Sequence, residues 1–370
     1  MNAKGLVFLS CLIIFCFYFG NAAAKPTAQD VAAELGLKQS ALRSEQLPGW
    51  KKLTKIVLWG DATQLKFYQS HFPQLKFFAS TNVTEVKREL ADADALIGYC
   101  IPALFDSKLD LSYIHSLAVG VEGCVNADSL SPHTTLLTNS QRLSAPEIAE
   151  HAIALMFSLV RRLDQYALNQ REKNWDRNVA PDSDAIWEIS GRTMLVVGLG
   201  GIGTETARRA SSLGMKVIAT RNSSQKGPDF VNYVGLPQEV LKLASQADIV
   251  VNTVPLTDKT HGIFNRPFFE AMKPSAYFIN VARGKSVITK DLIEALNQQQ
   301  LAGAGLDVTD PEPLPSDHPL WQQPRVIITP HVAYRSEKLR HRVQLIAVDN
   351  LRRYLAGDKL WSLVDRTKGY

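Results

Sequence analysis

The segment Val196-Val197-Gly198-Leu199-Gly200-Gly201-Ile202-Gly203 constrains this chain more than any other. Its G-x-G-x-x-G spacing falls where an apolar run ends and a helical pattern begins. A second apolar run, over 215–219, follows at the distance expected of a βαβ unit. In that setting Gly198 permits a tight turn, Gly200 lets the backbone approach a pyrophosphate, and Gly203 lets helix and strand pack closely. The free N–H groups at the helix start, those of Gly201, Ile202 and Gly203, together with the helix dipole, attract phosphate. A dinucleotide site is expected here; the competing reading is a glycine-rich turn with no ligand. The residues after the second strand bear on which dinucleotide it is. They read Thr220-Arg221-Asn222-Ser223-Ser224, with no carboxylate before Asp229. A carboxylate would hold a ribose 2′-OH, whereas Arg221 with Asn222 and Ser223 suits a 2′-phosphate. NADP(H) is therefore expected, with NAD(H) as the alternative.

A length of 370 residues suggests two domains. With 45% apolar and 21% charged residues the chain is ordinary globular material. The net charge of +5 is spread out with no basic run, which speaks against a nucleic-acid partner. Apolar runs of strand length alternate with helical patterns on both sides of residue 150. Strands are expected at 55–59, 75–78, 95–98, 114–119 and 135–138. A second series is expected at 194–197, 215–219, 249–253, 277–281, 303–306 and 326–329. Such alternation implies parallel α/β sheets. Between the two series Ser144-Ala145-Pro146-Glu147 reads as a capping box opening a long helix to about Tyr166. A closing helix is expected over 337–354.

The N-terminus is read as an address. Lys4 precedes fourteen uncharged residues, 6–19, and Ala22-Ala23-Ala24 follows. This describes a secretory signal peptide over 1–24, with Ala24 the last residue removed. Cleaved, it makes the mature protein periplasmic, extracellular or resident in the secretory pathway. Retained, it is a membrane anchor, the one expected membrane contact. Residues 25–50 read as a short leader helix and linker. Beyond the signal only Cys100 and Cys124 remain. They read first as small buried hydrophobes, and as a pair only if the protein meets an oxidising compartment. No metal-ligand spacing is present.

Three later segments carry candidate chemistry. Asn280-Val281-Ala282-Arg283-Gly284 sets an arginine just after an apolar strand. Gly305-Leu306-Asp307-Val308-Thr309-Asp310-Pro311-Glu312-Pro313-Leu314-Pro315 sets carboxylates in a proline-stiffened loop. Thr329-Pro330-His331-Val332-Ala333 sets a histidine after another strand. Ligands of open α/β sheets gather at the carboxyl ends of strands, so all three converge on the edge that binds the nicotinamide. With the glycine segment and Thr253-Val254-Pro255-Leu256-Thr257, these motifs resemble the D-isomer-specific 2-hydroxyacid dehydrogenases over about 53–360. Within them the sequence is most similar to the glyoxylate/hydroxypyruvate reductase branch.

The resemblance implies two doubly wound α/β lobes. A Rossmann dinucleotide domain (143–332) is inserted into a flavodoxin-like substrate domain (51–142 and 333–370). It implies hydride transfer from NADPH to a small 2-keto acid, glyoxylate or hydroxypyruvate foremost, giving the D-2-hydroxy acid. His331 is the implied acid/base, oriented by Glu312, with Arg283 binding substrate; a histidine suits proton donation near neutral pH, and a guanidinium can fork onto a carboxylate. Val119-Gly120-Val121-Glu122-Gly123 resembles the substrate loop, with Gly120 and Val121 as its backbone donors; Glu122 departs from the Asp or Asn often found nearby. Gly201 stands where many relatives carry arginine. Asp307 is expected to support the nicotinamide end, with Pro255 and Val281 lining the pocket. Relatives are usually homodimers. The alternatives are an NAD-dependent dehydrogenase of the D-lactate type and a dinucleotide-sensing, non-catalytic scaffold. The other histidines, His115 among them, read as core or surface.

Overall fold

A computed structural model describes residues 26–131, 133–179 and 186–369. The expected signal segment, 1–24, lies outside them, as does part of the polar stretch after residue 169. Two wholly parallel sheets are present. The first contains β1 (Lys55–Trp59), β2 (Lys76–Ser80), β3 (Ala95–Gly98), β4 (Tyr113–Ser116) and β5 (Leu136–Asn139) in the order β2-β1-β3-β4-β5. That is the flavodoxin-like order. The second contains β6 (Thr193–Val197), β7 (Lys216–Thr220), β8 (Tyr233–Gly235), β9 (Ile249–Asn252), β10 (Tyr277–Asn280), β11 (Gly303–Leu306) and β12 (Val326–Ile328). Its order, β12-β11-β10-β9-β6-β7-β8, is that of a Rossmann sheet with one added strand. Strand order reverses beside β6, where β9 pairs on one side and β7 on the other. A ligand crevice therefore opens beyond the carboxyl ends of β6 and β9.

Side-chain alternation explains why both sheets are sandwiched. Met194 and Val196 enter one core and Leu195 and Val197 the other. Ile56 and Leu58 likewise face away from Val57. Strands apolar on both faces need helices on both faces. The helix Ala145–Val160 covers one face of the larger sheet, burying Ile148, Ala152, Leu155 and Leu159. The closing helix Leu339–Leu355 returns to the smaller sheet, where Ala347, Val348, Leu351 and Tyr354 pack on β1, β3 and β4. The leader helix Ala28–Leu35 is capped by Thr27 and packs Val31 and Ala32 against Leu143, Ile346 and Trp361.

Two expectations are corrected, one open alternative is decided and one strand is added. The long central helix stops at Val160 and a second one runs Leu163–Arg171, because Arg162 adopts a left-handed backbone (φ 56°). Ser144 caps nothing. Its backbone is not extended, and the Glu147 carboxylate is drawn away to Arg342 (3.2 Å) and Ser336 (3.1 Å). The short strand β8 was not expected. Cys100 and Cys124 are joined as a disulfide with Cα atoms 5.0 Å apart. The pairing of β3 with β4 brings their two exit segments together and gives the cysteines that separation.

Candidate active site

The glycine turn is built as its spacing requires. Gly198 takes φ +100°, and a Cβ on Gly203 would lie 2.2 Å from the Gly198 carbonyl oxygen. Only glycine allows that turn and that approach. Thr253 Oγ1, at the end of β9, donates to the same carbonyl (2.7 Å) and ties the two strand ends together. The helix Gly201–Ser212 starts with no side-chain cap, and the amides of Gly201, Ile202 and Gly203 have no acceptor among the described residues. Among the described residues, nothing outside its chain neighbours lies within 4 Å of the place where a Gly200 side chain would sit. An uncapped helix start under open space fits a dinucleotide pyrophosphate.

Arg221 follows β7, is partly exposed, and donates to the Lys226 carbonyl (3.1 Å); Asn222 and Ser223 beside it are exposed. Arg142, which drew no notice in the sequence, lies over the helix start. A Cβ on Gly201 would meet its Cγ at 2.8 Å, and its guanidinium reaches the Leu35 carbonyl (3.3 Å). Burial, and then the nearby Arg221 charge, hold Arg142 below the ordinary arginine range. Its one sequence signal was the absence of a side chain at Gly201.

Arg283 follows β10 and is fixed from beneath by a buried amide network. Asn252 Nδ2 donates to Asn280 Oδ1 (2.9 Å) and Ser286 Oγ (2.7 Å). Asn280 Nδ2 and Ser286 Oγ both donate to the Arg283 carbonyl (3.0 and 2.6 Å). Neither Asn252 nor Ser286 was singled out by the sequence. Val281 beside it is 5% exposed, and Pro255 across the crevice is exposed, its carbonyl accepting from Thr260 Oγ1 (2.6 Å).

Asp307 follows β11 with 2% of its surface exposed. Its carboxylate accepts from Thr329 Oγ1 (2.7 Å) and from the N–H groups of Val332 (2.9 Å) and Ala333 (3.0 Å). Its visible task is thus to clamp the turn after β12. His151 Nε2 adds a bond to Thr329 Oγ1 (2.9 Å). Within that turn His331 has φ 54°, an unfavourable region for a side-chain-bearing residue, held by its own N–H to the Asp307 carbonyl (2.8 Å). The clamp aims the imidazole at the loop after β11, where His331 Nδ1 donates to Glu312 Oε1 at 2.5 Å. Both peptide bonds flanking the 311–312 pair, Asp310-Pro311 and Glu312-Pro313, are cis. With Nδ1 engaged, Nε2 is the ring atom left for a substrate.

Gly120 and Val121 follow β4 in the other sheet, and neither N–H has a protein acceptor among the described residues. Gly120 lies against Arg283: a Cβ there would stand 2.1 Å from Nη2. Glu122 opens the short helix Glu122–Val125, and Arg283 Nε donates to its Oε1 (3.1 Å). The structure thus brings the expected glycine turn, Arg283, Glu312 and His331 to the carboxyl edge of one sheet, and faces Arg283 with the substrate loop of the other.

Comparison with known proteins identifies the family. Residues 153–333 match the model of the D-isomer specific 2-hydroxyacid dehydrogenase NAD binding domain. Glyoxylate/hydroxypyruvate reductase B of Enterobacter sp. (strain 638) is 32% identical over 79% of this chain and 91% of its own length. The NADPH-dependent glyoxylate/hydroxypyruvate reductase of Sinorhizobium meliloti, solved with NADP and sulfate, superposes with a TM-score of 0.73. It is 25% identical, over 86% of this chain and 100% of that one. The D-lactate dehydrogenase of Aquifex aeolicus, solved with NAD and lactic acid, gives 0.69 at 26% identity, over 82% of this chain and 96% of that one. The chain belongs to the D-isomer specific 2-hydroxyacid dehydrogenase family and is an NAD(P)-dependent oxidoreductase.

Proposed function

We propose that this protein reduces small 2-keto acids with NADPH, glyoxylate and hydroxypyruvate foremost, and releases the D-2-hydroxy acid. The observation that carries this reading is the Glu312–His331 bond at the strand edge that also presents Arg283 and the uncapped glycine-turn helix. Bound NADPH supplies the hydride. His331 Nε2 hands a proton to the carbonyl oxygen, while Glu312 on Nδ1 keeps the ring in one orientation and balances its charge. Arg283, with the free amides of Gly120 and Val121, holds the substrate carboxylate and the oxygen on which charge grows. Arg221, Asn222 and Ser223 meet the 2′-phosphate, and Gly198, Gly200, Gly201, Ile202 and Gly203 the pyrophosphate. Asp307 acts at the nicotinamide end through the turn it clamps, and Pro255 and Val281 line the pocket. On this reading residues 51–142 with 333–370 form the substrate lobe and 143–332 the dinucleotide lobe.

The test is turnover of a 2-keto-acid panel with NADPH and NADH, for the wild type and for His331→Ala and Arg283→Ala. Each variant should lose activity by about 100-fold or more while NADPH binding, followed by nicotinamide fluorescence, persists. Wild-type protein inert toward the whole panel would overturn the reading and favour a dinucleotide-sensing scaffold. Turnover with NADH far above NADPH would favour the lactate-type alternative.

A further inference from the structure

The pairing of Arg283 with Glu122 joins residues 161 positions apart across the two sheets. Three features place the Glu122 carboxylate where a bound carboxylate belongs. Its Oε1 takes the Arg283 Nε proton at 3.1 Å. Its Oε2 would lie 2.7 Å from a Cβ on Gly120, the same glycine that abuts Arg283 Nη2. It therefore lies beside the backbone whose free amides, those of Gly120 and Val121, suit a carboxylate. Arg283 Nη1 is already committed to the Ala282 carbonyl (2.8 Å), so the side facing Glu122 and Gly120 is where an incoming carboxylate can engage the fork. Glu122 Oε2 has no protein donor of its own among the described residues. The side chain reaches Arg283 from a helix of only four residues, Glu122–Val125.

We propose that Glu122 is a built-in competitor for the substrate carboxylate: its own carboxylate occupies the Arg283 subsite, and substrate binds by displacing it. This rests on Arg283 being the substrate-binding arginine. Glu122 thereby sets the affinity of the pocket for anions and touches neither the proton donor nor the cofactor site. Displacement breaks one ion pair and makes another, and it leaves a negative charge beside the incoming one. Removing that charge while keeping the side chain's shape should favour binding.

The test uses the full mature chain and oxamate, an unreactive 2-oxo carboxylate, titrated calorimetrically with and without NADP+. Glu122→Gln should tighten oxamate about fivefold or more, the size expected for one like charge about 4 Å away in a water-accessible site. Glu122→Ala, which removes the contact altogether, should do at least as well. In an Arg283→Ala background the Glu122→Gln gain should vanish. In turnover, Glu122→Gln should lower KM for glyoxylate by a similar factor and change kcat less. Unchanged or weakened oxamate binding in both Glu122 variants overturns the proposal, as does a gain that survives Arg283→Ala. Tightened oxamate with a wild type that reduces no 2-keto acid keeps the proposal and discards the functional reading. Turnover with no oxamate effect does the reverse.

Discussion

The Cys100–Cys124 disulfide is open to a quantitative test. It closes a stretch with a sequence separation of 24, from the exit of β3 to the short helix bearing Glu122. Cross-linking a chain of that span removes unfolded-state entropy worth about 3.5 kcal/mol at 25 °C. The folded state should lose little when the bridge is opened, because other ties hold the segment. Cys124 is fully buried among Val57, Leu96 and Ile114. Arg366 donates to the carbonyls of Cys124 (3.1 Å) and Ser131 (2.8 Å) from the C-terminal segment. A Cβ on Gly123 would lie 2.0 Å from the Cys100 carbonyl oxygen, so the chains already touch there without the sulfurs. Cys100→Ser/Cys124→Ser should therefore fold and lose about 3.5 kcal/mol in urea unfolding followed by far-UV circular dichroism. A thiol reductant should move the wild type to the same midpoint and leave the variant unmoved. Coincident midpoints for the oxidised wild type and the double variant would refute the entropic reasoning. Alkylation of Cys100 and Cys124 in the unfolded, unreduced protein, read by peptide mass, would refute the bridge itself.

Two further perturbations bear on the cofactor and the core. Arg221→Ser should raise KM for NADPH by about tenfold or more and leave that for NADH nearly unchanged, since one charge-assisted contact to a 2′-phosphate is lost; equal effects on both cofactors would remove Arg221 from that role. Burial pushes His115 down to about 3, with its Nδ1 beside Thr138 Oγ1 at 2.8 Å. The unfolded chain takes a proton below about pH 6.5 and the folded chain does not until about 3, so this contribution is intact above 6.5 and is lost as pH falls between the two. The slope is about 1.4 kcal/mol per pH unit. His115→Asn should show a shallower decline of unfolding free energy between pH 6.5 and 4.5 than the wild type; parallel declines would sink the assignment.

What could be read from the sequence were features whose cause is local. A continuous apolar run marks β6 as a strand buried on both faces, and the glycines at 198 and 203 announce a turn that no other residue permits. Arg283, Glu312 and His331 could be placed because each immediately follows, or lies in the loop after, a strand of one sheet. What escaped depends on contacts distant in sequence. Ser144 and Glu147 have the spacing of a capping box, but Arg342 lies 195 residues from Glu147 and takes its carboxylate. Arg162 adopts a left-handed backbone without being glycine, so no residue type marked the helix break. The strand β8 has three residues, Tyr233 exposed at its start and Gly235 at its end, too short to show a pattern. Glu122 was noticed only as a departure from expectation, because its partner is fixed by how two sheets face each other.

That division has a consequence for how the catalyst tolerates motion and change. Arg283, Glu312 and His331, with the Asp307 clamp and the Asn252–Asn280–Ser286 network, all hang from β9 to β12 of one sheet. They form a single rigid tool. Gly120, Val121 and Glu122 hang from the other sheet and act as a separate jaw. Under the proposed function, a change in the angle between the sheets would alter what Arg283 grips and leave the distance between His331 and the guanidinium untouched. Substrate preference would then be retuned by altering the jaw alone, with the proposed chemistry carried along.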